Sequence, residues 1–371
     1  VQSRTRHARL GLLAAATALA ALVLAAPAGA AQFSGGTIKV DLKQLTQKGV
    51  KASFPQGGKS KTVGTFTLGA GTGTLNAQSS GSLATEGGQI KLKVGSKTVT
   101  LSPLTEKLAA GKGQLTAKVG GKGKTIAFFD QASSGKVGAN AGNTGLHMNK
   151  SNAQLTKAGA AALNKGLGLK KNKQLKNKQK VGSAQFNAIR LLTVTGGSSS
   201  TTYDTAFYDK LKNDCDDTLG SLAPAVAIPA DASHPRGGVT LPIRPGGTLR
   251  ADTLQGSFAH DGGTTQDRPA GSSTGKPEYH STLTNITFST ETNPPGLLAT
   301  TSDIPGQNVI GTVNGAQLSS ALTDTGGTVS IANGSLVLSD FARQALGTFA
   351  NCNVPSDINT IGVTTSTVTV Q

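Results

Sequence analysis

The sequence predicts an all-β chain of two tandem β-sandwich domains, each with one or two short α-helices. Three observations predict this class. Stretches such as "TIKVDL" (37–42), "GQIKLKV" (88–94), "KTVTL" (97–101) and "QLTAKV" (114–119) alternate apolar and polar residues, as strands with one buried face do. Glycine borders these stretches, 49 glycines in all, and supplies the turns between them. The phrase "GSLATEGG" (81–88) returns as "GSFAHDGG" (256–263), which points to a duplicated unit.

In chain order, the first segment reads as a leader. Arg4, Arg6 and Arg9 precede an apolar run from Leu10 to Ala26 and the small-residue site Ala28-Gly29-Ala30, so residues 1–30 are expected to be a secretory signal cleaved after Ala30. The protein is then expected to be secreted or associated with the cell surface, without a membrane span once the signal is removed. The remainder is long enough for two domains, each with its own core.

The duplication extends beyond the opening phrase. "GTFTLGAGTGTL" (64–75) matches "GVTLPIRPGGTL" (238–249), "TVTLSPLTE" (98–106) matches "NITFSTE" (285–291), and "LTKAGAAAL" (155–163) matches "LSDFARQAL" (338–346). "TVT" occurs at 193–195 and again at 367–369. These blocks assign residues 31–197 to a first domain and 204–371 to a second, with the Ser/Thr-rich 198–203 as a flexible linker.

Thr156 and Ser339 stand before the alanine-rich runs and are expected to be N-caps, because a hydroxyl there can accept from the free amides of a first helical turn. Phe207, Leu211, Cys215, Leu219 and Leu222 follow Asp204 at helical spacing and predict an amphipathic helix that opens the second domain. Cys215 and Cys352 are the two cysteines, an even count in an exported chain, so a disulfide is expected rather than a metal pair.

Charge divides the chain sharply. The net charge is +17, yet residues 31–197 carry 25 Lys and Arg against 4 acidic side chains, while residues 198–371 carry 8 against 15. The run "LKKNKQLKNKQK" (169–180) concentrates Lys170, Lys171, Lys173, Lys176, Lys178 and Lys180. Such a run can hold an anionic envelope polymer by a salt-sensitive contact, with a mobile solvated loop as the plain alternative. Nucleic acid is not expected, because aromatic residues for base stacking are missing beside the charge. The opposite charges also allow the two domains to dock on each other.

Catalytic motifs are sparse. "GKS" (58–60) and "GKT" (123–125) lack the glycine that a phosphate loop needs five residues before its Gly-Lys, and no H-E-x-x-H occurs. A non-enzymatic binding protein is expected.

"GVKASF" (49–54), the two glycine-bordered phrases and "TVTLSPLTEKLAAGKGQLTAKV" (98–119) resemble HtaA domains of exported haem-uptake and surface proteins of Gram-positive bacteria. The resemblance implies β-sandwiches with short helices. It also implies haem as a possible cofactor, bound through a tyrosine soon after G-V-K-x-S-F and supported by a histidine in the later glycine-bordered strand. In the first copy those places fall at about Gly57 and at Thr85; in the second, His260 stands at the histidine place, and "GGVTLPIRPGG" (237–247) holds no tyrosine. His260 is therefore the implied haem contact, with Tyr279 and His280 of "EYH", the one adjacent tyrosine and histidine in the sequence, as further candidates. Neighbours in an extended strand face opposite sides, so at most one of these two can enter a given pocket. The alternative is a structural or adhesive surface protein that holds anionic wall polymers through its basic half.

Overall fold

The computed structural model describes residues 30–75, 79–110, 112–131 and 137–371, apart from the Lys124 side chain. The leader expected at 1–30 lies outside these residues, Ala30 excepted.

The first half contributes β1 (Ala31–Asp41), β2 (Lys51–Ser53), β3 (Val63–Gly73), β4 (Gly81–Thr85), β5 (Ile90–Val94), β6 (Lys97–Leu101), β7 (Thr105–Ala109), β8 (Lys112–Val119), β9 (Lys122–Asp130), β10 (Val137–Ala139) and β11 (Gly145–Leu155). It also holds α1 (Lys43–Thr46) and α2 (Lys157–Leu167), and leads into β12 (Lys180–Tyr203). Antiparallel pairing runs β1–β3–β4–β7–β8–β9–β11–β12 and returns from β12 to β1, closing a circuit. The alternation seen in the sequence sends Ile38, Val40, Phe66, Leu68, Leu115, Phe129 and Phe186 into one core. β2, β5 and β6 form a branch that joins the circuit where Leu101 meets Val119.

The second half continues with α3 (Thr205–Cys215), β13 (Thr218–Leu222), β14 (Val226–Ile228), β15 (Gly238–Pro242), β16 (Thr248–Arg250), β17 (Gly256–Ala259), β18 (Gly263–Arg268) and β19 (Tyr279–Ser289). It closes with β20 (Gly296–Thr301), β21 (Gln307–Asn314), β22 (Gln317–Leu322), β23 (Gly327–Leu338), α4 (Asp340–Thr348) and β24 (Thr360–Val370). A second circuit runs from β12, which also carries β15, through β16 to β17, β19, β20, β21, β23 and β24, and back to β12. The all-β class with a few short helices holds.

β12 corrects the expected linker. Residues 198–203 are strand, bonded to β15 on one edge and β24 on the other. Its Ser183–Leu191 part pairs with β1 of the first circuit, and its Val194–Tyr203 part pairs with β24 of the second. Buried side chains pass from the first core at Ala188 to the second at Leu192. A strand bonded on both edges cannot act as a hinge, so the two units share a rigid element. The two "TVT" blocks are not equivalent either. They lie on adjacent strands, where Val194 pairs with Val370 and Thr195 donates to Thr369 at 3.2 Å.

Gly35-Gly36 and Gly196-Gly197 instead share a local geometry. A bulge falls at each pair, between Phe33 and Gly36 and between Val194 and Gly196. Gly36 (φ 98°) and Gly197 (φ 125°) leave no room for a side chain, since a β-carbon would come within 2.0 Å of the Asn187 or Thr367 carbonyl oxygen. Beside the shared strand, Arg190, 1 % exposed, donates to the Thr323 carbonyl at 2.5 Å, and Asn143 donates to that of Leu322 at 3.1 Å. Groups of the first unit thus meet the β22–β23 turn of the second.

The expected caps are present: the Gly159 amide donates to Thr156 Oγ1 at 2.8 Å, and the Ala342 amide to Ser339 Oγ at 3.0 Å. The helix after Asp204 is shorter than its apolar stripe suggests. α3 buries Phe207, Leu211 and Cys215 and stops at Asp216, which is left-handed (φ 59°), while Leu219 and Leu222 lie in β13. The stop brings Asp217 into a buried polar cluster. Arg268 meets Asp217 at 2.7 Å, with both side chains essentially unexposed, and donates to the carbonyls of Cys215 (2.5 Å) and Ala350 (2.6 Å). Gln266 donates to the other Asp217 oxygen at 2.7 Å. The Cys215–Cys352 disulfide closes next to this cluster, with a Cα–Cα distance of 5.6 Å.

Candidate functional site

The lysines of the first unit form the most unusual feature of the surface. Lys170, Lys171, Lys173, Lys176, Lys178 and Lys180 are all exposed, as the sequence suggests, but their segment is pinned rather than mobile. Leu175 is buried, and Asn164 of α2 both donates to its carbonyl (2.9 Å) and accepts from its amide (2.8 Å). The inner face of the β5–β6 hairpin packs against α2, so the outer face of β2, β5 and β6 is left to Lys51, Ser53, Lys91, Lys93 and Thr98. In this register Lys51 stands directly opposite Lys93. Like charges on residues so placed, with β-carbons about 5 Å apart, destabilise the pair. Lys97 extends the charge over the hairpin tip: its Nζ lies against Gly168 at the C-terminal end of α2, where a β-carbon would collide with it. A helix C-terminus favours a cation there. The band therefore runs from β2 through β5 and β6 to the 170–180 segment, which sequence spacing alone does not reveal.

No ion pair occurs among the described residues of the first unit; the ion pairs found involve residues 209 and beyond. The cations are 24 lysines and a single arginine, Arg190, which is buried. Every phenylalanine of the unit, Phe33, Phe54, Phe66, Phe128, Phe129 and Phe186, is buried, and it has no Tyr or Trp.

His260 and Thr85 explain the repeated phrase. The Thr85 amide and hydroxyl both donate to the Leu104 carbonyl, at 3.1 and 2.9 Å. The His260 amide and Nδ1 both reach the Ile286 carbonyl, at 2.8 and 3.1 Å. Each residue ties its strand to a carbonyl of the segment that follows in its own unit. A carbonyl can only accept, so Nδ1 carries the proton and Nε2 accepts from Ser199 Oγ at 2.7 Å; Ser199 in turn contacts Ser366 Oγ at 2.7 Å. Burial lowers the imidazole pKa to about 4, and the ring packs edge-on to Phe258 with centroids 5.4 Å apart. With both nitrogens engaged and 1 % exposure, His260 is a structural residue and has no free lone pair for iron.

Tyr279 and His280 face opposite sides, as an extended strand requires. His280 is exposed and pairs with Asp267 across β18 and β19. Tyr279 lines an apolar cleft of about 150 Å³ between α3, α4 and the sheet of the second unit. Phe207, Leu211, Leu283, Phe341 and Phe349 form much of its wall. The Tyr279 hydroxyl donates to Asp303 at 2.6 Å, and burial followed by that contact pushes its pKa up to about 12. The candidate haem contacts are therefore not brought together. A phenol held protonated, an engaged histidine and a cleft smaller than the few hundred Å³ usual for cofactors do not fit haem. The haem propionates would also meet Asp303 with no Lys, Arg or His among the described lining residues.

Two further groupings carry no chemistry. Cys215, Asp217 and Cys352 cluster like metal ligands, but the two sulfurs are bonded to each other. "GSSTG" (271–275) spells the G-x-S-x-G of a nucleophile elbow, a pattern that sequence reasoning passed over. It lies in the loop between two strands, and Ser273 Oγ donates to the Asp216 carboxylate at 3.2 Å rather than to an imidazole.

No family model matches the chain, and no curated protein matches it. Among solved structures, the crystal structure of the C-terminal domain of HtaA from Corynebacterium glutamicum is similar, at 18 % identity and a TM-score of 0.34, over 48 % of this chain and 99 % of that one. A likeness of that size carries no argument about a site. Among the described residues no helix is long and apolar enough to cross a membrane.

Proposed function

We propose that the chain is an exported, non-enzymatic surface protein of two HtaA-like units, whose basic unit holds an anionic polymer of the cell envelope. The observation that carries this reading is the in-register Lys51–Lys93 pair with no acidic partner. Repulsion of this kind costs stability in the free protein and is relieved when an anion lies across the strands. The use of lysine narrows the partner. Lysine offers compact point charges and lacks the flat, bidentate fork by which arginine reads bases and stacks on them. With all its phenylalanines buried, the unit offers no platform for bases. A flexible phosphodiester or acidic-sugar polymer without aromatic groups meets these conditions better than nucleic acid does.

The test is to replace Lys51, Lys91, Lys93 and Lys97 by Gln together and to measure binding of inorganic polyphosphate at low salt. At about 1 kcal/mol per lysine at an anionic surface, the loss should be 100-fold or more. Replacing Lys51 and Lys93 alone should at the same time leave the fold slightly more stable, by roughly 0.2–1 kcal/mol. Unchanged affinity, or a preference for single-stranded DNA over polyphosphate, would sink the reading.

A further inference from the structure

The acidic second unit contains an apolar cleft with a single carboxylate, a character opposite to that of the lysine band. The cleft between α3 and α4 is walled by large side chains that the core leaves only half buried: Tyr203, Leu219, Tyr279, Leu283, Phe341 and Leu346. Phe349 at the end of α4 is 46 % exposed, an unusual position for a phenylalanine unless something covers it. Tyr203 stacks on Tyr208 with ring centroids 5.9 Å apart, which stiffens one wall. At the polar end stands Asp303, the one carboxylate of the described lining, which holds no cationic side chain; Arg268, 5.8 Å over the Tyr279 ring, is buried and paired with Asp217. It accepts from the Tyr279 hydroxyl at 2.6 Å and from Ser302 Oγ at 3.3 Å. A carboxylate has about four acceptor sites, so Asp303 keeps capacity for another donor.

We propose that this cleft binds a small cationic amphiphile, with its apolar body among Phe207, Leu211, Phe341 and Phe349 and its ammonium on Asp303. Charge complementarity selects the cation. The second unit carries 15 acidic against 8 basic side chains, and an anionic head would have no partner at the mouth. The size suits a chain of about eight carbons, since a cavity of about 150 Å³ accommodates a body comparable to benzene and the open end admits the rest. This site is independent of the polymer-binding reading, because it uses none of the lysines of the first unit.

The chain has three tyrosines and no tryptophan, and Tyr203, Tyr208 and Tyr279 all lie at or beside the cleft, so tyrosine emission reports its occupancy directly. The experiment titrates the protein with n-octylamine, 1-octanol and octanoate, and with haemin as a fourth probe. Octylamine should bind saturably at one site, at least tenfold more tightly than octanol, with octanoate weakest. Asp303→Asn should bring octylamine to the level of octanol, and Ala345→Leu, which fills the cleft from α4 without adding a fluorophore, should abolish the signal. Octanoate or haemin binding more tightly than octylamine, equal affinities across the series, or a response untouched by both substitutions would overturn the proposal.

Discussion

Replacing Glu106 by Gln should flatten the pH dependence of the first unit's stability and make the protein more stable than wild type at pH 8. Glu106 on β7 is fully buried, and burial raises its pKa to about 8 against partly opposing bonds from the Gln131 side chain and the Gln114 backbone. Gln131 Nε2 donates to Glu106 Oε2 at 2.9 Å, while Glu106 Oε1 and Gln131 Oε1 have no donor among the described residues. Both of these oxygens crowd the same spot at Gly113, where a β-carbon would lie 2.2 and 2.6 Å from them. A proton on Glu106 Oε1 directed at Gln131 Oε1 satisfies both and completes an acid–amide ring.

In the unfolded chain the carboxyl ionises near 4.5, in the fold near 8. The unfolded state therefore sheds its proton first, and stability falls as pH rises through that interval, by on the order of 4–5 kcal/mol in total. His260 works in the other direction. Its folded pKa of about 4 lies below the ordinary 6.5, so its contribution is complete above 6.5 and is lost as pH falls toward 4. Between pH 6.5 and 8 Glu106 acts without that opposition, and the drop should be about 2 kcal/mol. Glutamine at 106 can close the same ring with its own amide and needs no proton. Urea unfolding followed by far-ultraviolet circular dichroism at pH 6.5 and 8 reads the difference. Parallel slopes in wild type and Glu106→Gln would refute the protonated pair.

Reducing the Cys215–Cys352 disulfide should remove about 5 kcal/mol from the second unit, with the first affected through the shared strand β12 alone. The bond closes a loop of 137 residues, and the chain-entropy estimate for that length is about 5 kcal/mol. It joins the end of α3 to the segment after α4, the two helices that wall the cleft, and the carbonyls beside it are held by Arg268. Reduction should therefore loosen the cleft along with the unit. All three tyrosines lie in the second unit, so their emission in urea, with and without dithiothreitol, follows that unit alone. A reductant effect seen in total circular dichroism but absent from tyrosine emission would assign the stabilisation to the wrong unit.

Much of the fold was legible because its causes are local. Alternation places Ile38 and Val40 inward on β1, and Thr156 and Ser339 cap α2 and α4 through contacts three residues away. The unit boundary was not legible. "TVT" at 193–195 and 367–369 looked like one position in two copies, yet strand β12 carries the first block past the boundary to pair with the end of β24. The glycine pairs 35–36 and 196–197, which share a bulge, lie at a spacing different from that of the repeated phrases and so were not linked to them. Of the candidate site residues, the 170–180 lysines were visible as a run, but their extension through Lys51 and Lys93 depends on register between β2 and β5. His260 drew attention as an uncommon residue type. Thr85 in the same hydrogen-bonding role shows that the position serves the backbone.

The central claim is a lysine surface built for a polyanion, and the most direct test is the salt dependence of inorganic polyphosphate binding to residues 31–371. Saturable binding whose log affinity falls linearly with log salt is predicted. With four to eight lysines engaged, the slope should be roughly 3 to 6 in magnitude, by analogy with single-stranded polyanions. Binding that ignores salt, or no binding at about 20 mM salt, where weak screening lets charges act over some 20 Å, would contradict the account.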